Sequence, residues 1–328
     1  MKLKTIAVAF AALVASSGVS AQQKLKFAHV YETSEPYHTA MLWAAGEIAK
    51  RTSNRYAMEV FAASSLGNET QINQGLTLGT VDIIYTGQLF AGRSYGPISI
   101  GGAPFVFRDF DHWQKFSKSA LFEELKDGYQ KGSGGNKVVA ITYYGNRQTT
   151  SNKPLNRPED MKGLKIRVPD APLYTLFPRA VGANPTPIAF AEVYLALQNK
   201  TVDAQENPLP TIDAKKFYEV QSHINITAHI TDALLTIVGA PLWAKLSEAD
   251  KKAFQDVFQE ASVRATGEII ESEKRLMTEF TKRGKTVLLV ERKPFMAAVQ
   301  KYYAEGKQPD GSALPWPKDV YDRLQAIK

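Results

Sequence analysis

The pattern that most constrains this chain is an alternation of strand-like and helix-like segments that runs once, breaks off, and starts again. Lys24 to Val30 alternates apolar and polar residues as a strand does, and Tyr37 to Thr52 carries Leu42, Ala45, Ile48 and Ala49 at helical spacing. Tyr56 to Phe61 is again strand-like, Glu69 to Leu78 helical, and Val81 to Tyr85 a short, nearly all-apolar strand. Such a βαβαβ order predicts parallel strands with helices on the sheet faces. The alternation resumes with strands at Lys137–Tyr144 and Lys165–Val168, a helix over Ala171–Val181, an extended Thr186–Ile188 and a helix over Ala191–Gln198. One phrase occurs in both halves, as LTLGTVDIIYTG and as LALQNKTVDAQENP. Two strands opening alike after similar helices predict two α/β lobes of similar build.

The rest of the chain predicts how the lobes are joined. Ile224 to Gly239 is β-rich and is expected to cross between lobes. Ser247 to Lys282 reads as a long amphipathic helix, with Ser247 as N-cap and Glu248 and Asp250 in the first turn. A strand at Thr286–Val290 and helices at Lys293–Gly306 and Lys318–Lys328 follow. The expected division is residues 22–145, with part of about 232–275, in the first lobe. Residues 146–231, with part of the C-terminal region to 328, form the second. The fold class is α/β, with a cleft between lobes, the favoured place for a small ligand.

Residues 1–21 read as a signal peptide. Lys2 and Lys4 supply its positive start, Thr5 to Ala15 is apolar, and Val19-Ser20-Ala21 sets small residues at the cleavage site. The apolar run is shorter than the ~20 residues a membrane span needs. Cleavage after Ala21 is expected to leave a freely diffusing protein in the periplasm of a Gram-negative cell. With no cysteine there is neither a lipid-anchor thiol nor a disulfide, so stability must come from the core. The formal charge of +7 becomes +5 without Lys2 and Lys4, and its basic residues are scattered among acidic ones, which argues against nucleic acid as partner.

Catalytic signatures are missing. The histidines are His29, His38, His112, His223 and His229, none in HExxH, and there is no GxSxG, GxGxxG or P-loop sequence. Asp203 and Glu206 are close enough in sequence to act as an acid–base pair, but nothing places a nucleophile beside them. The expectation is a binding protein without cofactor or metal, monomeric, and not an enzyme.

The phrases SSLGNETQINQGLTLGTVDI, GNRQTTSNKPLNRPEDMKGLKIRVPDAP and GANPTPIAFAEVYLALQNKTVDAQENP, in this order and spacing, resemble the solute-binding components of tripartite ATP-independent periplasmic (TRAP) transporters. The resemblance implies a small carboxylate as ligand and a membrane permease, driven by an ion gradient, as partner. It places the carboxylate-binding arginine at Arg167, at the end of KIRV. A planar guanidinium suits that role because it meets a carboxylate with two parallel hydrogen bonds. The competing role for Arg167 is an internal ion pair with Glu159, Asp160 or Asp170. The resemblance also points to Arg147 with Asn146 beside it, to Asn207 as a polar contact, and to Phe190 against the ligand's carbon skeleton.

Strand ends in the first lobe supply further candidates: His29, Tyr31 and Glu32 after the first strand, Glu69 after a turn, and Tyr85, Thr86 and Gln88 at the third. His229 and Asp232 lie on the returning segment. Glu32 and Glu69 bear on ligand choice, since a carboxylate lining the pocket repels a second ligand carboxylate and favours the hydroxyls of a sugar acid. With both turned away, a dicarboxylate fits as well. The alternatives to transport are a binding protein that feeds a sensor kinase, and an exported enzyme.

Overall fold

The computed structural model describes residues 22–328, so the expected signal peptide lies outside the described residues. Among the described residues nine strands form one mixed sheet: β1 (Gln23–Ala28), β2 (Tyr56–Phe61), β3 (Ile83–Gly87), β4 (Lys137–Ser151), β5 (Lys165–Val168), β6 (Asn184–Pro187), β7 (Ala204–Pro208), β8 (His223–Val238) and β9 (Thr286–Leu289). Their order is β2-β1-β3-β8-β4-β7-β5-β6, with β9 beside β8. The first lobe holds the parallel set β2-β1-β3, and the second holds the parallel set β6-β5-β7. Between them run β4 and β8, antiparallel to each other, long enough to belong to both lobes.

The repeated T-V-D phrase has a structural reason. In the first lobe the Asp82 backbone N–H donates to the Lys26 carbonyl, while its carboxylate accepts from the Lys26 N–H at 2.7 Å. In the second lobe Asp203 does the same to Lys165, its carboxylate accepting from Lys165 N at 3.0 Å. Val81 and Val202 are buried beside them. Each phrase therefore clips a strand to the start of its parallel neighbour. That accounts for Asp203 and leaves it no place in an acid–base pair with Glu206.

Several elements depart from the sequence expectation. The strand expected to stop at Tyr144 continues to Ser151 and is irregular, with register shifts at Val138/Ala140, Tyr143/Gly145 and Arg147/Thr149. Asn207-Pro208 reads as a break, yet both residues pair with β4, Pro208 opposite Arg147 at the strand's end. The helix expected over Ala171–Val181 is a 3-10 turn at Pro172–Thr175 followed by a short helix, Leu176–Ala180. Pro178 inside that segment has no N–H to donate, which limits a longer helix.

The helix Glu248–Lys282 is 35 residues long and capped by the Ser247 hydroxyl, which accepts from Asp250 N at 3.1 Å. At 1.5 Å per residue it spans about 50 Å. It packs on helix Pro36–Arg51 in the first lobe, along β4, and on helix Leu209–Ala214 in the second. Among the described residues no helix is long and apolar enough to cross a membrane.

Candidate functional site

A cleft lies where β4 and β8 pass between the lobes. Its second-lobe wall carries Arg147, Arg167, Phe190 and Asn207, and its first-lobe wall carries Tyr31 and Glu69.

Arg167 is the third residue of β5, and burial leaves it 1 % exposed. Its Nε and Nη2 both donate to the Ile188 carbonyl, at 3.0 and 2.7 Å. Nη1 is buried with no hydrogen-bond partner. Neither Glu159, Asp160 nor Asp170 pairs with it; Asp160 faces Arg157 and Asp170 faces Arg93. Burial, with Arg147 nearby, pulls its pKa down to about 10, so it stays charged at neutral pH. The backbone thus fixes one edge of the guanidinium and leaves the other edge for an acceptor. Its face lies over the Phe190 ring at 5.9 Å.

Arg147 is in the opposite state. Nε and Nη2 fork onto the Glu206 carboxylate, Nη2 at 2.8 Å, and Nη1 donates to Asp232 at 3.0 Å. Nη2 also reaches Asn207 Oδ1 at 3.2 Å. Burial opposes its charge, but Glu206, Tyr174 and Asp232 together hold its pKa well above the ordinary value. Burial likewise works against the Glu206 charge, and Arg147 with His229 overcomes it, so Glu206 sits below the usual carboxylate range. For Asp232 burial prevails and its pKa is raised. The Tyr144 and Tyr174 rings flank Arg147 at 5.7 and 5.2 Å. Two positive charges therefore face the cleft, and the second lobe already compensates one of them.

Glu69 reaches the cleft from the first turn of helix Glu69–Leu78, behind the Asn68–Gln71 capping box. Its Oε1 accepts from Thr86 Oγ1 at 2.9 Å and Gly87 N at 2.8 Å. Burial foremost, then Asp232, pushes its pKa up to about 7.

Other residues singled out in the sequence lie outside the cleft wall. His29 is buried behind it, its Nε2 3.0 Å from His38 Nδ1, and burial drives its pKa down to about 3. Glu32 is taken by Lys215 of the second lobe at 2.8 Å. Tyr85 lies in the sheet core against Phe27. Gln88 donates to the Gly101 carbonyl at 3.0 Å. Asn146 accepts from Thr231 through its side chain, while its N–H donates to Glu273. Strand-end reasoning finds which residues stand near the cleft, but the pleat and the turn that follows decide which side chains enter it. Tyr144 and Tyr174 also stand on the wall; Tyr144 ends the expected strand Lys137–Tyr144, where the same strand-end signal could have found it, while Tyr174 lies in an expected helix and carries no such signal.

Two α/β lobes, two crossing strands and a polar cleft between them make this a solute-binding protein of the periplasmic type. The family model for bacterial extracellular solute-binding proteins, family 7, matches residues 27–308, and the chain belongs to that family, the solute-binding components of TRAP transporters. The chain is 33 % identical to the sialic acid-binding periplasmic protein SiaP of Vibrio cholerae over 303 residues, covering 92 % of this chain and 94 % of the relative. A TRAP periplasmic solute-binding protein from Polaromonas sp. JS666, bound to D-erythronate, superposes with a TM-score of 0.86 at 31 % identity, covering 94 % of this chain and 99 % of that one. One from Roseobacter denitrificans with bound L-galactonate gives 0.85 at 29 %, covering 93 % and 99 %.

Proposed function

We propose that this protein captures a small organic acid in the periplasm by clamping its carboxylate on Arg167, and delivers it to the membrane subunits of a TRAP transporter. The observation that carries the clamp is the buried guanidinium with Nη1 unpartnered beside a cleft. An uncompensated buried donor of this strength is costly, and an incoming carboxylate removes the cost with two charge-assisted hydrogen bonds. Arg147 and Asn207 complete that end, and Phe190 covers the carbon chain. The relatives' ligands, among them sialic acid, D-erythronate and L-galactonate, are carboxylates and support the same reading. The hinge of the closing motion lies at Gly145, between the lobes 22–145 and 146–231, where φ is +117° and the β4 register slips.

A thermal-shift screen of residues 22–328 against C3–C6 mono- and dicarboxylates, 2-oxo acids, sugar acids and neutral sugars tests the proposal. Ligand at 100 times its dissociation constant adds about 2.7 kcal/mol of stability. The expected result is a raised melting midpoint with acids and none with neutral sugars. A response to neutral sugars alone would make Arg167 structural.

A further inference from the structure

We propose that Glu69 is the specificity-determining residue of this cleft, accepting a hydrogen bond from a ligand hydroxyl and barring a second ligand carboxylate, so that the cargo is a hydroxylated monocarboxylate. This rests on the Arg167 clamp and deepens it.

The charges on the cleft wall carry the argument. The charge of Arg147 is already balanced by Glu206 and Asp232, which leaves Arg167 as the cation on the cleft wall without a carboxylate partner among the described residues. One ligand carboxylate satisfies it. A second would have to lie near Glu69, Asp232 or Asp170, all on the wall. In a water-poor cleft, two carboxylates a few ångströms apart cannot both stay ionised without a cation between them. The groups facing Glu69 are Asp232 and Arg147 on the crossing strands, Tyr174 on the second lobe and Tyr31 after β1. Of these only Arg147 is a cation, and Glu206 and Asp232 already balance its charge.

Glu69 is also built as an acceptor. Thr86 and the Gly87 N–H, on the end of β3, hold Oε1, while Oε2 takes no hydrogen bond from the described residues. Its position in the first turn of a helix favours negative charge there. A Cβ on Gly87 would stand 3.1 Å from the Tyr174 hydroxyl and 3.7 Å from Glu69 Oε1, so tyrosine and carboxylate converge on one spot from opposite lobes. The Tyr174 hydroxyl has no hydrogen-bond partner among the described residues either. A ligand hydroxyl meets both an acceptor and a donor there.

Calorimetric titration with matched acid pairs tests this: D-erythronate against tartrate, and L-galactonate against galactarate, at pH 8 and pH 6. The wild-type protein is expected to bind the better monoacid at least ~100-fold more tightly than its diacid at pH 8. The ratio shrinks at pH 6, because Glu69, with its pKa raised to about 7, is then mostly protonated while the diacid remains a dianion. Glu69→Gln is expected to weaken the monoacid, strengthen the diacid and abolish the pH dependence of their ratio. A wild-type ratio near one, a ratio that does not change with pH, or failure of both monoacids to bind would overturn the proposal, and these readings need no variant to fold. Arg167→Lys in the same series separates the two levels. Monoacid binding lost in Arg167→Lys with an unaltered ratio in Glu69→Gln would leave the clamp standing and remove Glu69. Undiminished binding in Arg167→Lys would remove the clamp itself.

Discussion

At the scale of single residues, the two arginines of the cleft have the same side chain and opposite energetics. Arg147 is fully compensated by Glu206 and Asp232, so deleting it strands two buried carboxylates. Breaking a buried pair from one side costs about 3–5 kcal/mol. Arg167 carries an unsatisfied buried nitrogen, and deleting it removes that penalty along with the fork onto Ile188. The expected outcome is a division of effects. Arg147→Ala lowers the melting midpoint of the ligand-free protein markedly, whereas Arg167→Ala lowers it less but loses ~2–5 kcal/mol of acid binding. Calorimetry and thermal melts on both variants check this, and equal loss of stability in the two would contradict it. The sequence makes both arginines visible, each in a phrase that resembles the family. It does not reveal that one is spoken for, because Glu206 and Asp232 come from β7 and β8 and meet Arg147 only after the sheet has formed.

At the scale of elements, the joint between β4 and the long helix Glu248–Lys282 holds the middle of the molecule. Glu273 on that helix accepts from the Asn146 N–H at 2.7 Å and from the Tyr143 hydroxyl at 2.9 Å, on either side of Gly145. A Cβ on Gly145 would stand 3.0 Å from Glu273 Oε1 and 2.8 Å from Pro208, so the close approach requires glycine. Burial raises the Glu273 pKa to about 7. A carboxyl whose folded pKa lies above its unfolded value contributes stability that is complete below about 4.5 and is lost as pH rises through about 7. Glu273→Gln imitates the protonated form, and its amide can still serve both partners. The melting midpoint of Glu273→Gln relative to wild type is therefore expected to rise from pH 5 to pH 8, and a constant difference would show that Glu273 does not titrate in that range. Of these elements the long helix was readable from its apolar period and its Ser247 cap. The joint was not, since nothing local in GNRQTTSN announces a bulge or a partner 127 residues away.

At the scale of the whole molecule, the lobes also touch outside the cleft lining. Glu32 meets Lys215 at 2.8 Å, and the buried Glu35 carboxylate accepts from the Thr211 hydroxyl at 2.7 Å. Both contacts tie the loop after β1 to helix Leu209–Ala214 and its C-cap Lys215, and thus one lobe to the other. Lys215→Ala is expected to speed ligand release severalfold with little change in association. A half-buried ion pair of this kind contributes about 0.2–1 kcal/mol, and it is lost on opening. Stopped-flow dissociation measures it, and an unchanged release rate would show that the pair does not hold the lobes together.

The sequence by itself determined the α/β class and the repeat of lobe architecture. Those features are written in local periodicity and short phrases, and the T-V-D repeat survives as the same strand clip in both lobes. Only the tertiary structure decided which candidates face the cleft. It drew Glu32 away to Lys215, turned His29, Tyr85 and Gln88 into the packed interior, and left Glu69 at the cleft beside Tyr174. The physical reason is that a strand end specifies a neighbourhood, while the direction of a side chain depends on pleat, register and the charges brought opposite it. Those charges come from residues far away in the chain, and they assign each arginine and each carboxylate its role.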